Sequence, residues 1–265
     1  MRRRTLLAAS VVAASAAAGA WAYESTRPVV VPLAVPSVPP GPERCELRYS
    51  KARGTTVDFY TAVPAGHGDG SGLPVCLVLH GGSKRPADFE GLGLGRFLTD
   101  AVNRGAAPFV LAGATGDRLA WQPDGRDDPQ RMLHEELPVW CAARGYDTGR
   151  LAAWGWSMGG YGSLLLAEAF PRFVRVVAAF SPAVAPGDAV FRDADRLAGT
   201  PVGLWCGRSD PLFGNVRALR RELPDEPMAG TFGPGKHNFD YWSTAIPAAF
   251  AFIAARLSGV TPSPA

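Results

Sequence analysis

The chain is 265 residues long, with 47% hydrophobic and 19% charged residues. That is ordinary globular composition and excludes collagen-like, coiled-coil and wholly disordered architectures. The formal charge of +3 sits entirely in Arg2, Arg3 and Arg4, and the chain beyond residue 22 is neutral and holds only Lys51, Lys84 and Lys236 as lysines. No basic patch is concentrated enough for a phosphate backbone, so nucleic-acid binding is set aside.

The three arginines begin a leader pattern. Residues 6–20 are apolar and alanine-rich, and Ala20-Trp21-Ala22 has the small-x-small form that a signal peptidase accepts. A signal peptide over residues 1–22 is expected, cleaved after Ala22, with the mature protein secreted or in the cell envelope. The alternative is an uncleaved membrane anchor, against which the apolar stretch is shorter than a spanning helix requires; no stable membrane insertion is expected after cleavage. The opening Arg2-Arg3-Arg4-Thr5-Leu6-Leu7 also resembles a twin-arginine export signal. Residues 23–44 are proline-rich, which favours an extended linker, and residues 259–265 read as a disordered tail.

Between them, residues 45–258 form one domain in which short β-rich runs alternate with helical patterns. The predicted strands are 56–63, 75–79, 109–112, 151–156, 174–180, 202–206 and 228–232. This alternation predicts an α/β fold with a mainly parallel central sheet flanked by helices. Asp128 followed by Pro129 predicts a helix start, with the helix running to about residue 144 before Gly145. A long apolar-periodic helix is predicted from about 239 to 257. The glycines at 91, 93 and 95 follow no strand and lack the further glycine of a dinucleotide fingerprint. Of the four cysteines, Cys76 and Cys206 lie in buried-strand runs, which leaves Cys45 and Cys141 as the pair for a disulfide. The cysteines and histidines show no metal-ligand spacing.

Gly155-Trp156-Ser157-Met158-Gly159 falls between a predicted strand and the helical run 161–169. A serine there sits on a tight turn at a helix N-terminus, where free N–H groups favour an oxyanion. A serine hydroxyl needs a base, usually histidine. His67 lies in a glycine-rich loop, His134 in a helix beside Glu135 and Glu136, and His80 directly after a buried strand. His237, in a loop after the last predicted strand, remains as the base. Asp210 follows the run 202–206 and is the favoured acid, with Asp188, Asp193 and Asp195 as alternatives. Ser157, Asp210 and His237 follow the chain order expected of an α/β-hydrolase. The Gly82 and Met158 N–H groups are expected to form the oxyanion hole, with Gly81 or Ser83 as alternatives to Gly82.

Several motifs together carry a resemblance: Leu79-His80-Gly81-Gly82, Trp121 with Gln122, Glu135-Glu136-Leu137-Pro138, Gly155 through Gly162, Ser209-Asp210-Pro211, and Lys236-His237-Asn238-Phe239-Asp240-Tyr241-Trp242. They resemble the putative-esterase branch of the α/β-hydrolase superfamily, related to esterase D and to mycolyltransferases of the antigen 85 type. The resemblance implies ester hydrolysis or acyl transfer by Ser157, His237 and Asp210, with no metal and no organic cofactor. Trp121 and Gln122 are expected to wall the site, with a place in the core as the alternative for the aromatic. Residues 180–200 are long enough for a small lid but carry no strong amphipathic stripe, which fits a short-chain or phenolic ester better than a triglyceride. The expected partner is a small-molecule or cell-envelope ester. The rival readings are an acyltransferase using a sugar or other alcohol, and a non-catalytic binding protein of the same fold.

Overall fold

A computed structural model describes residues 35–117 and 120–258. The proposed signal peptide, most of the proline-rich linker and the C-terminal tail lie outside the described residues.

Seven strands form one sheet: β1 (Glu43–Ser50), β2 (Thr55–Ala62), β3 (Pro74–Leu79), β4 (Val110–Ala114), β5 (Asp147–Trp156), β6 (Val177–Phe180) and β7 (Val202–Trp205). Their spatial order is β1-β2-β4-β3-β5-β6-β7. The β1–β2 and β2–β4 pairs are antiparallel, and the others are parallel. Strands β3, β4, β6 and β7 are buried along their whole length. This is why they read as continuous apolar runs: a parallel sheet is covered on both faces.

Helices α1 (Leu94–Asn103) and α6 (Phe239–Leu257) pack on one face of the sheet. The other face carries α2, spanning 129–142, with α3 (Met158–Ala169) and α5 (Phe213–Glu222). A short α4 (Ala189–Arg192) lies between β6 and β7. No helix among the described residues is long and apolar enough to cross a membrane.

Asp128 caps α2 as expected, its carboxylate accepting from Arg131 N–H at 2.8 Å. The middle turn of α2, Met132–Glu136, is π-wound, and Leu137 N–H reaches back to the Met132 carbonyl. Pro138 follows and has no N–H to give, so the regular i→i−4 ladder cannot run through this point. The wider turn delivers Glu136 to the β1–β2 connection, where its carboxylate accepts from Ser50 Oγ at 2.5 Å and Ala52 N–H at 2.9 Å.

Three expectations are corrected. Segment 228–232 is not a full strand: it runs beside β7 with hydrogen bonds such as Leu204 N–H to Ala229 O at 3.0 Å, but forms a single bridge. Gly230 interrupts the strand geometry with φ 116°. Secondly, β1 was not anticipated; its charged, half-exposed residues suit a sheet edge and hide a strand pattern. Thirdly, all four cysteines are free thiols. Cys45 is exposed on the edge strand, whereas Cys141 is buried in the layer that α2 forms.

Glu168 in α3 is buried, and neither of its carboxyl oxygens has a hydrogen-bond partner. Burial, reinforced by Asp193, Asp188 and Asp195 and only partly offset by Arg196, pushes its pKa from 4.5 up to about 9. A group raised on folding costs stability as pH climbs from the unfolded value toward the folded one, a loss of at most about 3 kcal/mol near pH 7. Glu168→Gln keeps the shape and removes the titration. In thermal melts the variant is more stable than the parent at about pH 8 and converges with it near pH 4. Parallel curves across that range would contradict the assignment.

Candidate active site

Strand β5 ends at Trp156, and α3 begins at Met158. Ser157 between them has φ 55° and ψ −121°. A non-glycine residue in such a conformation costs roughly 1–3 kcal/mol, which its surroundings must hold in place. Ser157 N–H donates to the Phe180 carbonyl at 2.8 Å, and the Ser157 carbonyl accepts from Tyr161 and Ala183 N–H at 3.1 and 3.0 Å. The flanking glycines are required by contact. A Cβ on Gly159 would lie 1.8 Å from the Leu79 carbonyl oxygen, and one on Gly155 would lie 2.4 Å from the Gly159 carbonyl. Backbone meets backbone at both places, so neither neighbour can yield.

His237 stands in the loop before α6, whose first turn is capped by Asn238 accepting from Tyr241 N–H at 3.2 Å. Its Nε2 lies 2.8 Å from Ser157 Oγ, and its Nδ1 lies 2.9 Å from Asp210 Oδ2. An ionised carboxylate only accepts, so the ring proton belongs on Nδ1 and Nε2 is free to accept from the serine hydroxyl. The Trp242 ring meets the imidazole edge to face, with centroids 5.0 Å apart. Two backbone bonds tie the loop of the acid to the loop of the base: Arg208 N–H to Gly233 O at 2.8 Å and Ser209 N–H to Gly235 O at 2.9 Å.

The Asp210 carboxylate is fully buried. Burial alone would raise its pKa, but hydrogen bonds from His237, from the Ser181 hydroxyl and from Leu212 N–H together hold it below the usual carboxylate value. The Leu212 bond is to Oδ1, at 2.8 Å. Asp188, one alternative acid, spends both oxygens on Ala185 and Phe191 N–H and caps α4. Asp193 and Asp195 lie near Glu168 instead. Ser181 was not singled out from the sequence; only its place at a strand end, before Pro182, could have drawn attention to it.

Two of the other histidines are occupied. His80 Nε2 accepts from Gly116 N–H at 2.9 Å, so the proton is on Nδ1, which faces the Gly81 carbonyl at 2.9 Å. Burial lowers its pKa and keeps the ring neutral. His134 stacks on Phe170 with centroids 3.8 Å apart.

Met158 supplies the first N–H of α3, and its side chain lies beside Gly82: a Cβ on Gly82 would meet nothing nearer than Met158 Sδ, at 4.0 Å. Gly82 also lines a cleft of about 490 Å³ with His80, Asp58, Lys84, Arg85 and Asp117. Trp121, expected to wall the site, is fully buried beneath it. Its indole N–H donates to the His80 carbonyl at 3.2 Å, and its ring fills the space beside Gly116 and Gly162. It therefore supports the His80–Gly82 turn from below and does not line the site. Gln122 is exposed and donates to the Tyr161 hydroxyl at 2.8 Å, one turn into α3 from Ser157. Among the described residues no group of three His, Cys, Asp or Glu side chains is arranged to hold a metal.

A largely parallel seven-stranded sheet between helical layers, with a strained serine at the end of a central strand, is the architecture of an α/β-hydrolase. Residues 50–221 match the family model described as "Putative esterase", and the chain belongs to that family, the carboxylic ester hydrolases of this fold. Solved structures share the fold at low identity. The feruloyl esterase module of Clostridium thermocellum, complexed with sinapinate, has a TM-score of 0.72 at 14% identity, covering 90% of this chain and 98% of that one. A ferulic acid esterase from Anaeromyces mucronatus in complex with ferulic acid has 0.69 at 16%, covering 88% and 97%. An S-formylglutathione hydrolase from Agrobacterium tumefaciens has 0.65 at 18%, covering 81% and 95%. No curated protein matches the chain.

Proposed function

We propose that this esterase is an exported serine enzyme that hydrolyses small polar or phenolic carboxylic esters through Ser157, His237 and Asp210. The observation that carries the reading is the unbroken line of hydrogen bonds from Asp210 Oδ2 through both ring nitrogens of His237 to Ser157 Oγ. In this reading Ser157 Oγ attacks the acyl carbonyl and its proton passes to His237 Nε2. Asp210 holds the tautomer and stabilises the imidazolium. The developing oxyanion is met by the N–H groups of Met158 and Gly82, each worth about 3 kcal/mol in such a role. His237 then protonates the departing alcohol, and water, activated by the same imidazole, releases the acid and restores Ser157. An alcohol in place of that water would make the same machinery an acyltransferase.

The substrate class is supported by the cleft that shares Gly82 with the site; none of Ser157, Asp210 and His237 lines it, and its charged walls suit polar groups better than a long acyl chain. The sinapinate and ferulic acid held by two similar proteins agree with a phenolic acyl group. Export rests on Arg2 to Arg4 and the apolar residues after them, and N-terminal sequencing of the mature protein should begin at Tyr23. A panel of p-nitrophenyl esters together with a feruloyl ester tests the substrate class, with an added sugar alcohol to reveal transfer products. Catalytic efficiency is expected to be highest for acetyl, butyryl and feruloyl esters and to fall steadily toward palmitoyl. A preference for palmitoyl would overturn the substrate class, and ester products in place of free acid would turn the enzyme into a transferase.

A further inference from the structure

His80 follows β3 directly and is 2% exposed, and the mechanism leaves its ring no step. Both ring nitrogens are nevertheless engaged. Gly116, just past the end of β4, can only donate through its N–H, so Nε2 accepts it at 2.9 Å and the ring proton stands on Nδ1. That proton goes to the Gly81 carbonyl at 2.9 Å, which also accepts from Lys84 N–H at 3.2 Å. A charged imidazolium would set a donor against Gly116 N–H, and burial keeps the ring neutral. The rigid ring thus spans from the end of β4 to the turn after β3, with an acceptor at one corner and a donor at the other.

The Gly81 carbonyl and the Gly82 N–H are the two ends of one peptide unit. A trans peptide is planar, and its C=O and N–H point in opposite directions. Whatever aims the carbonyl therefore aims the N–H. Gly82 N–H donates to no group among the described residues, so its direction is set from the carbonyl end, where His80 makes the shorter of the two bonds. His80 is itself held by Trp121, whose indole N–H donates to the His80 carbonyl at 3.2 Å and whose ring lies 5.1 Å from the imidazole between centroids.

We infer that His80 is a positioning residue: its neutral ring, held by Gly116 N–H, grips the Gly81 carbonyl and so directs the Gly82 N–H at the oxyanion formed on Ser157. The inference rests on the reading of Ser157 as the nucleophile and of Gly82 N–H as an oxyanion donor. His80 acts through that peptide and exchanges no proton with substrate.

Two amides separate the two corners of the ring. His80→Asn puts an NH₂ where Nδ1 stands and keeps the donor to Gly81, whereas His80→Gln carries its amide to the position of Nε2, keeps an acceptor for Gly116 N–H and loses that donor. Each leaves one buried bond unmade, so their costs in stability are similar. In the glutamine variant kcat is expected to fall by about 10-fold to 100-fold with KM within about twofold, a part of what removal of an oxyanion donor costs. Affinity for a trifluoromethyl ketone, whose adduct with Ser157 carries the oxyanion, should weaken by the same factor. The asparagine variant should keep kcat within about fivefold of wild type. Equal losses in the two folded variants, or wild-type kcat in the glutamine variant, would overturn the role of His80. Where a variant does not fold, nitrogen NMR of the histidine-labelled wild-type protein decides, with His80 assigned by replacing the other three histidines in turn. A proton on Nδ1 supports the role, and a proton on Nε2 overturns it. Failure of the underlying reading would appear instead in the wild-type protein, as a Ser157 that a fluorophosphonate does not label.

Discussion

Replacing Ser157 with alanine is expected to lower kcat by on the order of a million-fold while leaving a folded protein that still binds substrate. The size follows from the chemistry: no other group in the site can form the acyl intermediate, and His237 Nε2 loses the hydroxyl 2.8 Å away on which it acts. What remains is the contribution of the oxyanion donors and of binding, typically 10³-fold to 10⁴-fold over water. Alanine at φ 55° inherits the strain of the turn, and the hydrogen bond of Ser157 N–H to Phe180 O is untouched. Steady-state kinetics with a p-nitrophenyl ester, paired with circular dichroism, measure both halves. A variant that is folded and retains a tenth of the activity would place the nucleophile elsewhere.

The Asp210→Asn substitution tests the orientation of the base, and its expected loss is about 10⁴-fold in kcat. An amide has one accepting oxygen and one donating NH₂ where the carboxylate had two acceptors. Leu212 N–H points at Oδ1 and demands an acceptor there. The NH₂ is therefore driven to the Oδ2 position, where it faces His237 Nδ1. A donor at that point favours the tautomer protonated on Nε2, which cannot take the proton of Ser157. The loss should fall on kcat, with KM little changed, since the Asp210 carboxylate is fully buried. A loss of less than tenfold would show that the acid is not Asp210.

The sequence makes the chemistry more legible than the scaffold. Ser157 is readable because the elbow imposes glycines at backbone contacts that nothing larger can occupy, and such constraints are local. His237 and Asp210 are readable because they follow apolar runs, so their loops emerge together once residues 228–232 run beside β7. Strand β1 is hidden because an edge strand half exposed to water needs no apolar alternation. Helix α1 is hidden by the glycines at its start, although Leu94, Phe97, Leu98 and Ala101 form a buried face at helical spacing. Trp121 was placed by its neighbourhood in sequence, but its size and single donor suit a support under the His80 turn, where the carbonyl of His80 meets its N–H.

The most direct measurement is the site of covalent capture. Incubating the protein with a fluorophosphonate and mapping the adduct by peptide mass spectrometry should find it on Ser157 alone. An adduct on another residue, or none on a folded protein, would contradict the account.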